Sequence, residues 1–556
     1  MVRSAGHTLA KWVGLAAIAV AEAAWIAWLL VPVQILVMAN RFAHPVAANR
    51  AVHWLQGPAA APAGDRPPNI ILIVADDLGI NDLTAEGPGT GVEGGLVPTP
   101  NIDSIARQGA DFTTAYSANA TCSPSRAALM TGRYPQRFGF EFTAVPDQLA
   151  KYVPRYAPRN LPHPIIYHSE LQREAPPMQD MGMPGSEVTI AELLKGRGYR
   201  TIHLGKWHLG EARGMRPEDQ GFDESLGFMP GASKYEPDTA SVGAKLPGDP
   251  LDRLLWFALT DAVQFNGGPP FHAGEYMTDY LSDEAVTAIE ANRNRPFFIY
   301  LAYNAPHTPF QATRADYDSL SAIKDPRARV YGAMIRALDR GVGKVMRALK
   351  AERIDRNTLV IFTNDNGGAW YAGLANINRP YRGWKGTFFE GGIRVPFFIR
   401  WPDRIAAGQR LAMPIHQVDV LPTLAAASDA KLPKDRPIDG IDLLPLATGK
   451  AASVPSRPLF WRSGQYEAVR DGDWKLQVSQ NPQRTWLFNL ASDPTEHVDL
   501  SSSRRDRVGR LRAELAAHDR QMARPLWPAL LEEPIRIDVP ADAPWKAGQD
   551  YVYWPN

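Results

Sequence analysis

The fold follows from one stretch of the chain, Asn69-Ile70-Ile71-Leu72-Ile73-Val74-Ala75, which runs directly into Asp76-Asp77. After Asn69 the run is entirely apolar, and most of its residues are β-branched. A run without polar alternation predicts a strand that is buried on both faces, as in a parallel sheet. The two aspartates then mark the point at which this strand leaves the core.

Three further strands are predicted, at 199–204, 296–302 and 358–363. Helical patterns alternate with them, at 99–107, 189–198, 276–292 and 328–350. The second of these begins with Thr189-Ile190-Ala191-Glu192, which has the pattern of a capping box. This alternation predicts an α/β fold with a large, mostly parallel central sheet flanked by helices.

The two ends of the chain carry different patterns. Residues 12–38 are apolar apart from Glu22, Pro32 and Gln34. This is long enough for a membrane anchor, with a long cleaved signal or a buried soluble helix as alternatives. We therefore predict an anchor or signal segment over 1–40 and an Ala/Pro/Gly-rich linker over 41–67. The protein is expected outside the cytoplasm: membrane-anchored (periplasmic if bacterial), or secreted if the segment is cleaved.

The globular part is predicted as a catalytic α/β domain over 68–450 and a C-terminal α+β subdomain with a tail over 451–556. Short alternating stretches between 456 and 498 predict a small antiparallel sheet, and 504–520 an amphipathic helix packed on it. The tail from 525 is expected to cross the surface. Two segments, 141–183 and 210–272, show no clear period and are predicted to be irregular. The net charge of +1 argues against a nucleic-acid partner, which normally requires a basic excess.

Polar side chains follow all four predicted strands where each strand ends. They are Asp76 and Asp77, Lys206 and His208, His307, and Asp365 and Asn366. In open α/β sheets, ligands bind beyond the carboxyl ends of the strands. These side chains are therefore expected to share one crevice.

The acidic and amide members of this set offer only oxygen ligands: Asp76, Asp77, Asp365 and Asn366. Such oxygens suit a hard cation, Ca²⁺ or Mg²⁺, better than zinc. An isolated Asp-Asp pair after a strand is more often a turn or a helix cap. Two acidic strand ends at the same sheet edge favour a metal site.

The basic members provide positive charge and proton transfer: Arg126, Lys206, His208, His307 and Lys385. A cation with lysine or arginine clamps stabilises the charge that develops on a sulfate or phosphate ester. A histidine can protonate the leaving oxygen or accept a proton from the nucleophile. The crevice is therefore expected to handle a tetrahedral oxyanion.

Cys122 is the single cysteine of the chain, so no intramolecular disulfide can form. Pro124 suits the first turn of a helix, and this places the sulfur at a helix N-terminus, where anions are stabilised. The more common role of a lone cysteine is that of a small buried hydrophobe. Arg126, one turn along, favours an anion-handling site instead.

Four motifs together give a family resemblance. They are Cys122-Ser123-Pro124-Ser125-Arg126 with Thr131-Gly132-Arg133, then Gly205-Lys206-Trp207-His208-Leu209-Gly210, then Ala305-Pro306-His307-Thr308-Pro309, and finally Arg382-Gly383-Trp384-Lys385-Gly386 continuing to Glu390-Gly391-Gly392-Ile393-Arg394-Val395-Pro396. With these motifs the chain resembles the arylsulfatase-like, formylglycine-dependent sulfatases of the alkaline-phosphatase-like superfamily. The resemblance runs from about 68 to 500. One departure is Met130, where the signature usually has leucine.

The resemblance implies a sulfuric ester hydrolase in which a maturase oxidises Cys122 to Cα-formylglycine. Its hydrate would attack the sulfur of a sulfate monoester, either a small molecule or a sulfated glycan. Asp76, Asp77, Asp365 and Asn366, together with the modified Cys122, would bind Ca²⁺, or Mg²⁺ in its place.

The resemblance also implies a role for each basic residue. Arg126 would hold the formylglycine, and Lys206 and Lys385 would hold the sulfate. His208 would take a proton, and His307 would meet the leaving oxygen.

Two other functions stay open on the same residues. One is a phosphonate or phosphate monoester hydrolase on this scaffold, and the other is a membrane-tethered binding protein for sulfated glycans. Asn119-Ala120-Thr121 is formally a glycosylation sequon, but its position beside Cys122 indicates a chance match.

Overall fold

The structure is a computed structural model of the 556-residue chain. It describes Met38, Phe42 and residues 45–61, 66–87, 90–145, 147–157, 162–246 and 250–556. The chain divides into two compact units, 1–47 and 48–556, and the description below concerns the second. Within the described ranges, no helix has the length and apolar character needed to cross a bilayer. Almost all of the predicted anchor lies outside those ranges.

A ten-stranded sheet forms the centre of the second unit. Its five middle strands are parallel to one another, and antiparallel pairings extend the sheet on both sides. In spatial order the strands are Gln409–Leu411, Ala110–Phe112, Phe397–Arg400, Thr358–Asn364, Asn69–Ala75, Phe297–Ala302, Arg200–Lys206, Glu224–Phe228, Ala262–Phe265 and Phe271–His272. The predicted α/β class with a mostly parallel sheet is confirmed.

The strand Asn69–Ala75 lies in the middle of this sheet, between Thr358–Asn364 and Phe297–Ala302. All seven of its residues are buried. Ile71 and Ile73 pack into one hydrophobic core, and Leu72 and Val74 pack into the core on the opposite face. The run lacks polar alternation because both faces of the strand are covered.

Helices cover the two faces. On one face lie Pro100–Arg107, Met277–Asn292 and Pro326–Ala351, and on the other lie Cys122–Thr131, Ile190–Lys195 and Val420–Ala427. The capping box at Thr189 is present, because its side chain accepts from the Glu192 N–H while the Glu192 side chain accepts from the Thr189 N–H. Further helices are Val92–Gly95, Asp147–Tyr156, Pro250–Ala258, Arg314–Ser319, Glu390–Ile393 and Leu444–Ala447.

A second, smaller sheet lies in the C-terminal part. Its four antiparallel strands are Leu459–Ser463, Tyr466–Asp471, Trp474–Gln480 and Gln483–Asn489. The helix Arg505–Asp519 packs on this sheet, with Leu511 and Leu515 against Val469 and Leu476. Both the small sheet and its helix were expected from the sequence and are confirmed.

The prediction that 210–272 is irregular was wrong. Three of its segments are strands of the large sheet, and Ser241–Ala244 pairs with Phe310–Thr313. These strands are short and rich in Gly and polar residues, so they carry no local period and depend on pairing with distant strands.

Other segments are also more ordered than expected. The segment 141–183 contains a helix and the strand Ile166–Tyr167, and the tail contributes Leu531–Arg536 and Tyr551–Pro555 to the same three-stranded sheet. Ile535 and Ile537 of the tail are fully buried, so the tail is part of the core and does not simply cross the surface. Trp54, within the predicted linker, is also buried, and its Nε1–H donates to Glu284.

Candidate active site

The register of the parallel strands brings the predicted site residues together. Ala75 lies beside Asn364, so the residues after each strand, Asp76 and Asp365, emerge as neighbours. Lys206 is the last residue of its strand, which pairs with Phe297–Ala302 on the other side of the central strand. The expected shared crevice is therefore formed at the carboxyl edge of the sheet.

Cys122 begins the helix Cys122–Thr131, whose ten residues are all buried. Its Sγ atom lies 3.5 Å from Asp76 Oδ1, 3.9 Å from Asp77 Oδ1 and 3.1 Å from the Nζ atom of Lys385. The Ser123 hydroxyl donates to the backbone oxygen of His208 at 2.6 Å and so joins the first motif to the second. Residue 122 thus stands at the meeting point of two carboxylates and an ammonium group.

Arg126 is fully buried, and its guanidinium is directed to Asp365. Its Nε and Nη2 atoms lie 2.8 and 2.7 Å from Asp365 Oδ2. Burial by itself would lower the pKa of Arg126, but Asp365 and the neighbouring Tyr300 raise it above its ordinary value. The arginine therefore stays charged and neutralises one of the carboxylates at the sheet edge.

Two lysines contact the other two carboxyl groups. Lys206 Nζ lies 2.7 Å from Asp76 Oδ2, and Lys385 Nζ lies 2.8 Å from Asp77 Oδ1. Burial opposes the charge of Lys385, but Asp77 and Cys122 raise its pKa well above the ordinary value. Burial likewise opposes the charge of Asp77, and Lys385 and His307 together hold its pKa below the ordinary range. Lys385 and Asp77 are therefore ionised in spite of their burial.

His307 presents one ring nitrogen to the site. Its Nδ1–H donates to the Thr308 carbonyl at 2.6 Å, which leaves Nε2 as the free nitrogen, 3.6 Å from Asp77 Oδ2. Burial lowers the pKa of His307, against the opposing effect of Asp77 and Asp76. A ring held in this orientation can exchange a proton or a hydrogen bond only through Nε2.

His208 is a half-buried, neutral imidazole. Burial first, and then Lys206 and Arg126, hold its pKa well below the ordinary value. Its Nδ1 has no hydrogen-bond partner within the described ranges, and its backbone is left-handed with φ 57°. Asp77 is also left-handed, with φ 61°. Such backbone strain tends to concentrate at functional sites.

The residues present fit a hard cation. Asp76, Asp77, Cys122 and His307 each offer a ligand atom, and these atoms lie within 4.8 Å of one another. Asn366 donates through Nδ2 to Asp77 Oδ1, whereas its buried Oδ1 accepts no hydrogen bond from any residue the structure describes. An amide oxygen buried without a partner is costly, and a cation would satisfy it. Burial and the nearby Asp365 also raise the pKa of Asp76 well above its ordinary value, a strain that a divalent ion would relieve.

Asp365 and His307 occupy somewhat different places from those expected. Asp365 was predicted as a direct ligand, but one of its oxygens pairs with Arg126 and the other lies 3.4 Å from the Asp77 backbone nitrogen. His307 was predicted only at the leaving oxygen, yet it belongs to the group of close ligand atoms. The metal-ligand set as predicted stays a prediction.

Two tyrosines of the site were missed at the sequence level. The Tyr371 hydroxyl lies between Asp77 Oδ2 and Lys385 Nζ, at 2.8 and 2.9 Å. The Tyr235 hydroxyl donates to the backbone oxygens of Asn304 and His307 and supports the His307 loop. Neither residue lies in one of the four motifs, and a tyrosine in an irregular segment carries no local signal. Asn119 of the formal sequon is fully buried and donates to the Arg462 carbonyl, in agreement with a chance match.

Comparison with known proteins agrees with this geometry. The family model described as Sulfatase matches residues 68–430, which is well over half of the chain. The chain belongs to the sulfatase family. Mouse steryl-sulfatase is 34% identical over 475 residues, covering 74% of this chain and 70% of the relative. Mouse N-acetylgalactosamine-6-sulfatase is 34% identical over 434 residues, covering 75% of this chain and 73% of the relative.

Solved structures show the same fold. The crystal structure of Ps i-CgsB is 34% identical, with a TM-score of 0.69, and covers 83% of this chain and 95% of that chain. The phosphonate monoester hydrolase of Agrobacterium radiobacter is 19% identical with a TM-score of 0.57, covering 82% of this chain and 96% of that chain, and shows the shared fold alone. This sulfatase is therefore an enzyme, and both the family and the alkaline-phosphatase-like fold expected from the motifs are confirmed.

Proposed function

We propose that this sulfatase hydrolyses sulfate monoesters with a hydrated Cα-formylglycine at position 122, beside a Ca²⁺ ion, or Mg²⁺ in its place. The observation that carries the proposal is the position of Cys122, whose Sγ atom lies among Asp76, Asp77 and Lys385. In this structure the sulfur stands in for the oxygen atoms of the modified side chain. One hydroxyl of the hydrate would attack sulfur, with release of the alcohol. The other hydroxyl would then lose its proton and become the aldehyde oxygen as the C–O bond to the sulfate group breaks and sulfate leaves.

The cation would be held by Asp76, Asp77, Asn366 and the modified residue 122, with Asp365 beside them. When bound, it would supply positive charge to the sulfate oxygens and to the attacking hydroxyl. The buried Asn366 Oδ1 without a partner supports an oxygen-ligated ion here.

The lysines would bind the sulfate group of the substrate. Lys206 and Lys385 lie in a site that water scarcely reaches, since their side chains are 0% and 9% exposed. Fixed charges in a dry site stabilise developing negative charge more strongly than they would in water. In this structure both ammonium groups contact carboxyl groups that would bind the cation when it is present.

The histidines would move protons. His307 Nε2 is the free nitrogen on the Lys385 side and would meet the leaving oxygen. His208 is held neutral by burial and by the nearby cationic side chains, so it would accept a proton from residue 122 when sulfate leaves. His208 is therefore assigned as a base and His307 as the partner of the alcohol.

The substrate class is a sulfate ester of a small molecule or of a glycan. The relatives named above are a steryl-sulfatase and an N-acetylgalactosamine-6-sulfatase, and Ps i-CgsB was also solved in complex with k-i-k-neocarrahexaose. The oligosaccharide complex favours a sulfated glycan. Assays with sulfated oligosaccharides and steryl sulfate side by side would contradict this preference if only the steroid ester were cleaved.

Phosphonate or phosphate ester hydrolysis is the second candidate. It is tested with paired aryl sulfate and aryl phosphate esters, and a much higher kcat/KM for the phosphate would overturn the assignment. A binding protein without activity would lack a nucleophile or a metal ligand, whereas every predicted residue of this kind is present at the crevice.

The maturase and the membrane are proposed as further partners. The chain would be exported and anchored through the segment 1–40, or secreted after cleavage. Fractionation of native cells with N-terminal sequencing of the mature protein tests this. A protein found only in the cytoplasm would contradict it.

The decisive experiment is mass spectrometry of the peptide that contains residue 122, from protein purified from its native host. Modification replaces CH₂SH by CHO, and the peptide becomes lighter by that difference. Unmodified cysteine throughout, in protein that is active, would overturn the proposed nucleophile.

A further inference from the structure

Tyr371 lies at the edge of the crevice, in the short helical turn Trp370–Ala372. Its hydroxyl donates to Asp77 Oδ2 at 2.8 Å and accepts from Lys385 Nζ at 2.9 Å. A phenolic hydroxyl can donate one hydrogen bond and accept others, so it satisfies both neighbours at once. The side chain is half-buried, with its hydroxyl directed inward.

An ammonium group has three N–H donors. In Lys385 they are directed to Asp77 at 2.8 Å, to Tyr371 at 2.9 Å and to the atom of residue 122 at 3.1 Å. Two of these partners fix the head group, and the third donor is then directed at the reacting residue. Lysine is a flexible side chain, so without the tyrosine hydroxyl the ammonium would lose one of its two fixed points.

The tyrosine ring also lies beside both groups assigned to the leaving oxygen. Its centroid is 5.5 Å from Lys385 Nζ and 6.4 Å from the centre of the His307 ring. Trp370 packs edge-on against the same ring at 4.9 Å, and its backbone oxygen accepts from the Ala541 N–H in the C-terminal tail. The Tyr371 ring therefore packs against Trp370, and Trp370 is hydrogen-bonded to Ala541, which lies outside the residues that the family model matches.

We propose that Tyr371 is a positioning residue for Lys385. Its hydroxyl holds the Lys385 ammonium group at the place where the alcohol departs. The inference rests on the proposed sulfate ester hydrolysis. Charge on the leaving oxygen must be stabilised most when the alcohol is a poor leaving group. A displaced Lys385 should therefore slow poor leaving groups more than good ones.

The test compares Tyr371→Phe with wild type on a series of aryl sulfates whose phenols span a wide range of pKa. Loss of a hydrogen bond to a charged group should reduce kcat/KM about tenfold or more for the poorest leaving groups. The reduction should fall mainly on kcat and be much smaller for 4-nitrophenyl sulfate. The same substitution in a Lys385→Ala background should add almost nothing, because the group it positions is gone.

Tyr381→Phe is the matched control. Tyr381 precedes Lys385 by only four residues, but its ring packs against Arg394, and the guanidinium carbon lies 4.8 Å from the ring centroid. It should keep the leaving-group dependence of wild type. An equal loss across all leaving groups, a full loss in the Lys385→Ala background, or no loss would each overturn the inference. Wild-type protein that fails to cleave any sulfate ester would instead overturn the proposed function, so the two failures are distinguishable.

Discussion

The Nζ atom of Lys385 lies 3.1 Å from the Sγ atom of Cys122, although 263 residues separate them in the chain. The ammonium is charged in spite of its burial, because Asp77 and Cys122 raise its pKa. A positive charge therefore lies beside the position where a sulfate ester would be attacked before any substrate binds. This charge, together with the carboxylates beside it, makes residue 122 suited to a bound anion and cation at once.

Cys122→Ala should abolish sulfate ester hydrolysis and leave the fold intact. The substitution removes the proposed precursor of the aldehyde but only a small part of a buried helix. Steady-state assays and thermal unfolding check both effects. Met130→Leu in the same helix is the control, because it nearly conserves volume and should cost less than about 1.5 kcal/mol while retaining activity. Measurable turnover by the alanine variant would contradict the role of Cys122.

Removal of divalent cations should abolish activity, and added Ca²⁺ should restore it and raise the Tm. A ligand that binds only the folded state stabilises it by mass action. Asn366→Ala should weaken this Ca²⁺-dependent rise, because it deletes the buried oxygen that has no other partner in the described structure.

Asn292→Ala is a matched control for Asn366. Asn292 is also a fully buried asparagine, but its side chain is hydrogen-bonded to Ala288 and Arg295, away from the crevice. The Asn292→Ala variant should have a lower Tm than wild type and the same Ca²⁺-dependent rise in Tm. An unchanged Ca²⁺ response in Asn366→Ala would remove Asn366 from the ligand set.

Lys475→Met should destabilise the protein strongly. Lys475 is fully buried between Glu390 and Glu496, at 2.9 and 3.0 Å. Its removal leaves two carboxylates buried without a cation between them, which typically costs about 3–5 kcal/mol. Urea unfolding measures the change, and Lys450→Met on the exposed surface should have little effect. Equal stability of the two variants would show that water or Arg470 compensates.

Asp82 should make the folded state less stable as the pH rises. Burial raises its pKa to about 7 from an ordinary value of 3.8, in spite of hydrogen bonds from Tyr331 and Gly79. Because the folded-state pKa is the higher one, the stability from this group is fully present below pH 3.8 and is lost as the pH rises through about 7.

Asp82→Asn removes this titration. The stability of the variant relative to wild type should therefore increase between pH 4 and pH 8, by on the order of 3 kcal/mol. Denaturant unfolding of both proteins across that range gives the difference. A difference that does not change with pH would mean that Asp82 is ionised throughout.

The parts of the fold that were predicted correctly have a strong local pattern. The run 69–75 could be recognised because every residue is buried, and Thr189 could be recognised by its capping partner Glu192. The strand Glu224–Phe228 has the sequence Glu-Ser-Leu-Gly-Phe, which predicts nothing by itself. It is a strand because it pairs with Arg200–Lys206, and pairing between distant segments leaves no local trace.

The candidate site shows the same division. Asp76, Lys206 and Cys122 could be assigned to one crevice, because strand ends in a parallel sheet meet at one edge and the motifs are specific. Tyr371 could not, because its role depends on the turn that brings its hydroxyl between Asp77 and Lys385.

The sequence by itself determined the family, the parallel core and the candidate site residues. Short apolar runs indicate which segments are buried, and short motifs indicate which residue types lie at the site. Only the tertiary structure decided how the basic and acidic side chains pair: Lys206 with Asp76, Lys385 with Asp77, and Arg126 with Asp365. The physical reason is that these pairs join side chains from different strands and loops. Their distances are set by strand register and helix packing, which depend on the whole core.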